Sequence, residues 1–436
     1  MKAYIVLTLL LLPFTVLAVE VQKLTDYFSK LHSLQQFSGS VIYQKNNKTV
    51  YSKSFGKFSL ERDFEPSSTH YLYSVGSISK IITATAILKL HEQKHFSLKD
   101  KISSLLPNLG LPIDITVIEL LSHSSGLIKD FSHPNKSQAE LLKNLTDLPR
   151  LENKKYSYSN VAYDILGLLI EKISGETYLG FINSKLFIPQ NLAPIYSNHT
   201  KVISPNRPNS LSQKCDELEK HPYYREYMEG SGSIVAYPES IIGFFKALKE
   251  GKIIQQELYT KMITPYATDE YGLGIVNLKR NGITILGHNG SIPGFGSVAF
   301  NNNKGESIFV FSNLKQFPVA TVSLDTIQLL AALNIEMPKK INRTEYSKVI
   351  PNLTDYVGLY TLKSDSNYRF NVLYNSSDNY LYYKDGNEIS KLFPETPKRF
   401  FTCHRSNNTF EFLIFDNKPE ISIEWEGRSY SAILAK

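Results

Sequence analysis

Ser77 and Lys80 lie three residues apart in Ser77-Ile78-Ser79-Lys80, at the head of a stretch from Ile78 to Gln93 whose apolar residues fall on most faces of a helix. Three residues is about one helical turn, so the hydroxyl and the amine share a face. A serine becomes a nucleophile when a neighbouring base takes its proton, and a lysine held neutral by burial and nearby cations can be that base. The start of a helix adds unpaired N–H groups that stabilise an oxyanion. Alone the pattern is weak: Ser-x-x-Lys recurs at Ser54 to Lys57 and at Ser312 to Lys315, without a buried helix behind it.

Two other groups fit the same chemistry. Tyr158-Ser159-Asn160 precedes a second helix from about Val161 to Ile173, where Asn160 is placed to cap the helix while Tyr158 projects from a loop. Gly287-His288-Asn289-Gly290-Ser291 follows an expected strand, Ile283 to Leu286, and a glycine after a strand lets a substrate approach the backbone. Tyr-x-Asn also recurs, at Tyr196 to Asn198. Order and placement carry the information rather than any single match.

The elements that must position these residues are legible as patterns. Ser40 to Tyr43 and Thr49 to Ser52 alternate around Asn46-Asn47-Lys48, which predicts a hairpin. Gly175 is placed to end the second helix. Strands are expected at Gly274 to Arg280 and Ile283 to Leu286 around the tight-turn pair Asn281-Gly282, then at Ser297 to Phe300 and Ser307 to Phe311, with a helix from Val322 to Leu333. Strands at both ends with helices between them predict an α+β domain on an antiparallel sheet. Beyond residues 334–348 the chain turns rich in Tyr and Phe, with short β runs separated by turn residues, which predicts a separate all-β barrel or sandwich carrying no chemistry.

In this order the motifs resemble those of the serine β-lactamase and penicillin-binding-protein superfamily, in the branch of class C β-lactamases, D-alanyl-D-alanine carboxypeptidases and related esterases. The likeness rests on Tyr73 to Lys80, Leu120-Leu121-Ser122-His123-Ser124-Ser125-Gly126-Leu127, Tyr156 to Asn160, Tyr271-Gly272-Leu273-Gly274, and Gly287 to Gly290 through Pro293-Gly294-Phe295. The tail from Tyr346 resembles, by strand pattern, the lipocalin-like domain that often follows this catalytic domain. The resemblance implies Ser77 as the acylated nucleophile, Lys80 as its proton acceptor or electrostatic partner, and Tyr158 as a shared base that returns the proton to the leaving group. It makes Asn160 the residue that positions Lys80 and a substrate amide, places His288 and Gly290 in the third box, and gives the oxyanion hole to the N–H groups of Ser77 and Ser291. Lys80 and His288 are both expected to favour the Tyr158 phenolate. β-Lactamases usually carry Lys in the third box, whereas His is found in carboxypeptidase and esterase relatives, which speaks against efficient β-lactam hydrolysis. A true β-lactamase and a catalytically silent penicillin-binding or scaffold module are the alternatives.

His91-Glu92-Gln93-Lys94-His95 also fits the His-Glu-x-x-His pattern of zinc peptidases, but it falls at the exit of the first helix, so His95 is expected to leave the helical face and no metal or cofactor is assigned. His123 reads as a structural turn residue. No Gly-x-Ser-x-Gly elbow occurs, against an α/β-hydrolase.

The 436 residues, 42% hydrophobic and 20% charged, allow two or three domains and exclude disordered and polytopic membrane classes. Lys2, the apolar run Ala3 to Val16 and Val16-Leu17-Ala18 read as an export signal, predicting residues 1–18 as a leader, 19–340 as the hydrolase domain and 346–436 as the β domain. Export would make the protein periplasmic or secreted, with no stable membrane span after cleavage, and would permit either a Cys215–Cys403 disulfide or two thiols. The net charge of +7 is spread along the chain, so nucleic acid is not an expected partner. The expected partner is a small-molecule or peptide substrate, peptidoglycan fragments included. Nine Asn-x-Ser/Thr sequons, Asn289 among them, carry little weight in so Asn-rich a chain. Residues 189–228 read as a long irregular insertion shaping the pocket.

Overall fold

The computed structural model describes residues 20–65, 70–107, 115–127, 155–198, 204–214, 217–222, 229–339, 342–386, 388–403, 408–415, 418–425 and 428–435. The expected leader, Cys215 and parts of the 189–228 segment lie outside these residues. Among the described residues no helix is long and apolar enough to cross a membrane. The chain divides into two compact units, one comprising residues up to 212 with 220–337, the other 213–219 with 338–436.

The first unit is built on a six-stranded antiparallel sheet of β1 (Gly39–Lys45), β2 (Lys48–Phe55), β3 (Val276–Arg280), β4 (Ile283–Ile292), β5 (Phe295–Asn302) and β6 (Glu306–Ser312), in the order β2-β1-β6-β5-β4-β3. The β1–β2 turn uses Asn46 and Asn47 at φ of 51° and 61°, and Asn281-Gly282 turns β3 into β4 at 49° and 71°, as tight two-residue hairpins require. Helices cover both faces of the sheet. Val41, Val298 and Val310 point to a core with helix α1 (20–33) and the later helix Val319–Leu330, while Ile42, Ala299 and Phe309 point to the helical layer that holds Ser77 and Lys80. This alternation is the period-2 signature of a sheet covered on both sides.

That layer is organised around α2 (Ser79–Glu92) and α3 (Asn160–Ser174). Eleven of the fourteen α2 residues are buried, in keeping with its apolar surround. Gly175, at φ 71°, ends α3 in the left-handed conformation.

The structure corrects four expectations. β4 does not stop at Leu286 but runs on to Ile292, so the His288 box lies within a strand, paired with β5. β3 begins at Val276 because Gly274, at φ 80°, turns against α2, where an added Cβ would meet Ala84 and the Lys80 carbonyl. The C-terminal helix of this unit is Val319–Leu330, three residues earlier than expected, since Pro318 starts it. The 189–228 segment is not wholly irregular: Tyr196–Ser197 pairs with Ile234–Ala236, which pairs in turn with Tyr73–Ser74.

The second unit is a closed antiparallel barrel of eight strands, from Gly358–Leu362 to Arg428–Leu434, whose first and last strands pair through Tyr360 and Leu434. Every strand sends residues to one buried cluster, including Tyr360, Phe370, Leu381, Leu392, Phe400, Phe410, Phe412, Ile421 and Ala432. The interior is therefore filled by the protein's own side chains, as eight-stranded barrels allow.

Candidate active site

A 3-10 turn, Gly76–Ile78, leads into α2 and presents Ser77, half-buried, at its head. The turn lies directly on β4. A Cβ added to Gly290 would come within 2.1 Å of Val75 O and 2.9 Å of Ser77 N, and one added to Gly76 (φ +51°) within 2.8 Å of Ser291 N. Only glycine fits at either position, because each contact is with backbone that cannot yield. The same approach brings together the two backbones that bear the Ser77 and Ser291 N–H groups. Ser297 Oγ donates to Val75 O at 2.7 Å and Val75 N to Ile234 O at 2.9 Å, which fix the turn from two further sides.

Lys80, the second residue of α2 and one turn beyond Ser77, is fully buried. Its Nζ donates to Ser77 Oγ at 3.1 Å, Asn160 Oδ1 at 2.6 Å and Ser231 O at 2.8 Å. Burying an ammonium is costly, and these three acceptors offset part of that cost. Ser231 itself is held by its N–H on Asp164 Oδ1, 3.1 Å away. Asn160 does not cap α3 as expected. Ser159 does, its Oγ accepting from Ala162 N at 3.2 Å, so Asn160 is the first helical residue and its amide reaches Lys80 instead of closing the helix end.

Tyr158 Oη donates to Ser77 Oγ at 2.8 Å, and Lys80 Nζ lies 4.8 Å from the Tyr158 ring centre. The serine oxygen thus accepts from two groups, and either becomes its base on losing its own proton, Tyr158 as a phenolate or Lys80 as a free amine.

His288 is 4% exposed on β4. Its Nδ1 meets Asn289 O and its Nε2 meets Tyr271 Oη at 3.2 Å. A carbonyl can only accept, so Nδ1 carries the hydrogen and Nε2 of the neutral ring accepts from the tyrosine. Burial, followed by the Lys80 charge, pulls the His288 pKa down to about 4. Burial and Lys80 thus disfavour a charge on His288, which leaves Lys80 as the positive group beside Tyr158.

The structure brings Ser77, Lys80, Tyr158, Asn160, His288 and Gly290 around one center. Three participants escaped the sequence reading. The Ser231 carbonyl had a faint signal, the Gly230-Ser231-Gly232 run that marks a tight backbone approach; Gly230 indeed sits where a Cβ would strike Tyr163 O. Tyr271 lay in a quoted motif without a role. His123 was read as a turn residue, and its contacts are taken up below. The zinc pattern does not form a site: α2 ends at Glu92, His91 Nδ1 bonds Phe96 O, and Glu92 holds Lys89 and Gln255 N, which leaves His95 beyond the helix.

Residues 25–333 match the family model described as Beta-lactamase. A penicillin-binding protein of Bacillus subtilis (strain 168) is 27% identical over 313 residues, covering 63% of this chain and 67% of that protein. Among solved structures, the octameric penicillin-binding protein homologue from Pyrococcus abyssi aligns with a TM-score of 0.63 at 23% identity, over 95% of this chain and 99% of that one. The D-amino acid amidase of Ochrobactrum anthropi SV3 aligns with a TM-score of 0.59 at 20% identity, over 68% and 92%. Both structures share the fold.

Proposed function

This chain belongs to the Beta-lactamase family, a family of serine hydrolases, and from that premise we propose that it is an exported hydrolase working through an acyl-enzyme on Ser77. The observation that carries the reading is the pair of contacts on one oxygen, Tyr158 Oη at 2.8 Å and Lys80 Nζ at 3.1 Å from Ser77 Oγ. With Tyr158 ionised beside the Lys80 ammonium, Ser77 Oγ attacks the substrate carbonyl as its proton passes to the phenolate, and the N–H groups of Ser77 and Ser291 hold the oxyanion. The leaving alcohol or amine departs with that proton from Tyr158. Water then attacks the acyl carbon, and Ser77 regains its hydrogen as the acid is released.

The substrate class is an ester, an amide or a D-amino-acid-terminated peptide. His288 favours the uncharged end of that range, because its one ring hydrogen is committed to Asn289 O and the ring brings no charge to a substrate carboxylate. Acyl esters and D-aminoacyl amides rank first, and D-Ala-D-Ala carboxypeptidase action second. The fold shared with a D-amino acid amidase is the reason to include D-aminoacyl amides. A fluorophosphonate that labels wild type and not Ser77→Ala, with turnover in a panel of short esters, D-aminoacyl amides, D-Ala-D-Ala peptides and a chromogenic cephalosporin, tests the proposal. It fails if Ser77 stays unlabelled and Ser77→Ala matches wild type on every substrate.

A further inference from the structure

Tyr158 sits on coil, between Ser157 and the first turn of α3, and coil alone does not aim a phenol at a serine within 2.8 Å. The residues on either side of it are both held by one distant residue. Ser157 N donates to His123 O at 2.8 Å, and Ser159 N donates to His123 Nδ1 at 3.1 Å. The His123 ring then lies against the Tyr158 ring, with centroids 4.4 Å apart at 37°. Backbone carbonyl, ring nitrogen and ring face thus grip the three consecutive residues 157, 158 and 159.

His123 can make this grip because of its backbone. It is a non-glycine residue at φ 57°, the left-handed conformation that side chains adopt only where their surroundings hold them there. Its ring is completely buried, packed on Tyr163 and Tyr271 as well as Tyr158. Burial, then the Lys80 charge, holds its pKa well below the usual 6.5, so Nδ1 keeps the lone pair that accepts from Ser159. Its Nε2 finds no hydrogen-bond partner among the described residues, so the ring is retained at the cost of a buried unsatisfied group.

We propose that His123 is a positioning residue for Tyr158, its carbonyl and Nδ1 clamping the peptide units on either side of the tyrosine so that the phenol is fixed on Ser77 Oγ. The inference rests on the acyl-enzyme reading above and adds to it a residue that touches neither substrate nor the reacting atoms. A displacement of about 1 Å at a reacting group can cost on the order of 100-fold in rate, which sets the scale of the effect.

The test compares His123→Gly with His123→Asn. Both residues tolerate the positive φ, but only Asn places an acceptor, Oδ1, where Nδ1 stands. Active-site titration with the fluorophosphonate counts folded sites, so that kcat is expressed per competent serine. The expected result is a loss of about 30-fold in kcat for His123→Gly with KM little changed, and recovery to within about 3-fold of wild type for His123→Asn. In a Tyr158→Phe background, itself expected to lose roughly 100-fold or more, His123→Gly should cost no more than about 3-fold further, since the group it positions is already gone. Equal activity of the Gly and Asn variants, or a full 30-fold loss in the Tyr158→Phe background, overturns the positioning role alone. A wild-type Ser77 that takes no label overturns the acyl-enzyme premise and the inference with it.

Discussion

The two units of this chain bury different things. In the first unit Lys80 is fully covered and bonded to Ser77, Asn160 and Ser231, His288 and His123 are buried with burial disfavouring their charged forms, and Glu229 is pushed up to about 7 by burial and by Glu171. In the barrel the core is aromatic and aliphatic. Among its described residues the buried titratable groups include tyrosines such as Tyr360 and Tyr383, which burial pushes above their usual range, far from neutrality. A domain built only for stability has no use for buried ionisable groups, because each raises the free energy of the fold unless it is paired. The difference places the buried groups that titrate near neutrality, and with them the pH sensitivity of folding, in the first unit.

The contrast is sharpest at Ser77. Ser77→Ala is expected to abolish labelling and to reduce turnover by about four orders of magnitude or more, roughly 5 kcal/mol of barrier, without changing thermal stability appreciably. Residual turnover above a tenth of wild type would break the assignment of chemistry to this unit.

Next in size is a substitution that should do the reverse. Phe412 is fully buried, stacked on Tyr356 with centroids 4.3 Å apart and edge-on to Phe400. Phe412→Ala is expected to cost about 3–5 kcal/mol in urea unfolding of the full-length protein, while the rate of Ser77 labelling in the folded protein stays within about 2-fold of wild type. A collapse of labelling with the protein still folded would show that the barrel core supports the catalytic unit.

A third test uses pH. A His288 pKa of about 4 in the folded state, against about 6.5 when exposed, means that the unfolded chain binds the extra proton between those values. That contribution to stability is complete above about pH 6.5 and declines by roughly 3 kcal/mol as the pH falls to about 4. Glu229 has the opposite sign: its folded carboxyl keeps a proton between about 4.5 and 7, so its contribution falls as the pH rises through that range. Urea titrations of wild type and His288→Gln between pH 4 and 8 should differ in slope below pH 6.5; coincident slopes would remove His288 from the balance.

The smallest effect is expected at a barrel ion pair. Arg343 Nη1 contacts Glu395 Oε1 and Oε2 at 2.8 and 2.7 Å in a partly buried pair, and Arg343→Ala should lower unfolding free energy by about 2 kcal/mol, with labelling unaffected. A loss several times larger would mean that charge matters in the barrel as it does beside Ser77.

What could be read from the sequence follows the same division. The candidate side chains were legible as motifs, because the chemistry they would perform restricts their types, and Ser77, Lys80 and Tyr158 meet in space as their order suggested. The barrel was legible as a strand-and-turn rhythm, since Asp385-Gly386 and similar pairs punctuate it. What stayed hidden was the support. Ser231 contributes a carbonyl, which every residue has, so its identity carries little trace of its role. His123 acts through a peptide oxygen and a ring nitrogen on residues more than thirty positions away, and no local periodicity records that. The extension of β4 through His288 was missed because two glycines, Gly287 and Gly290, look like a break. They are instead places where Ala299 O and Val75 O press too closely for a Cβ.

The sheet order also sets a timetable. β1 lies between β2 and β6, and Gly39 pairs with Ser312, about 270 residues later in the chain. At roughly 5–20 residues per second of synthesis, the β1 edge waits on the order of 14 to 55 seconds for its permanent neighbour. Throughout that interval Val41, Ile42 and Tyr43 offer an apolar ribbon with an open row of peptide groups, the kind of surface that holding chaperones recognise. The open edge of the N-terminal hairpin thus calls for a guardian while the chain is being made, and the arrival of β6 is the moment at which that need ends.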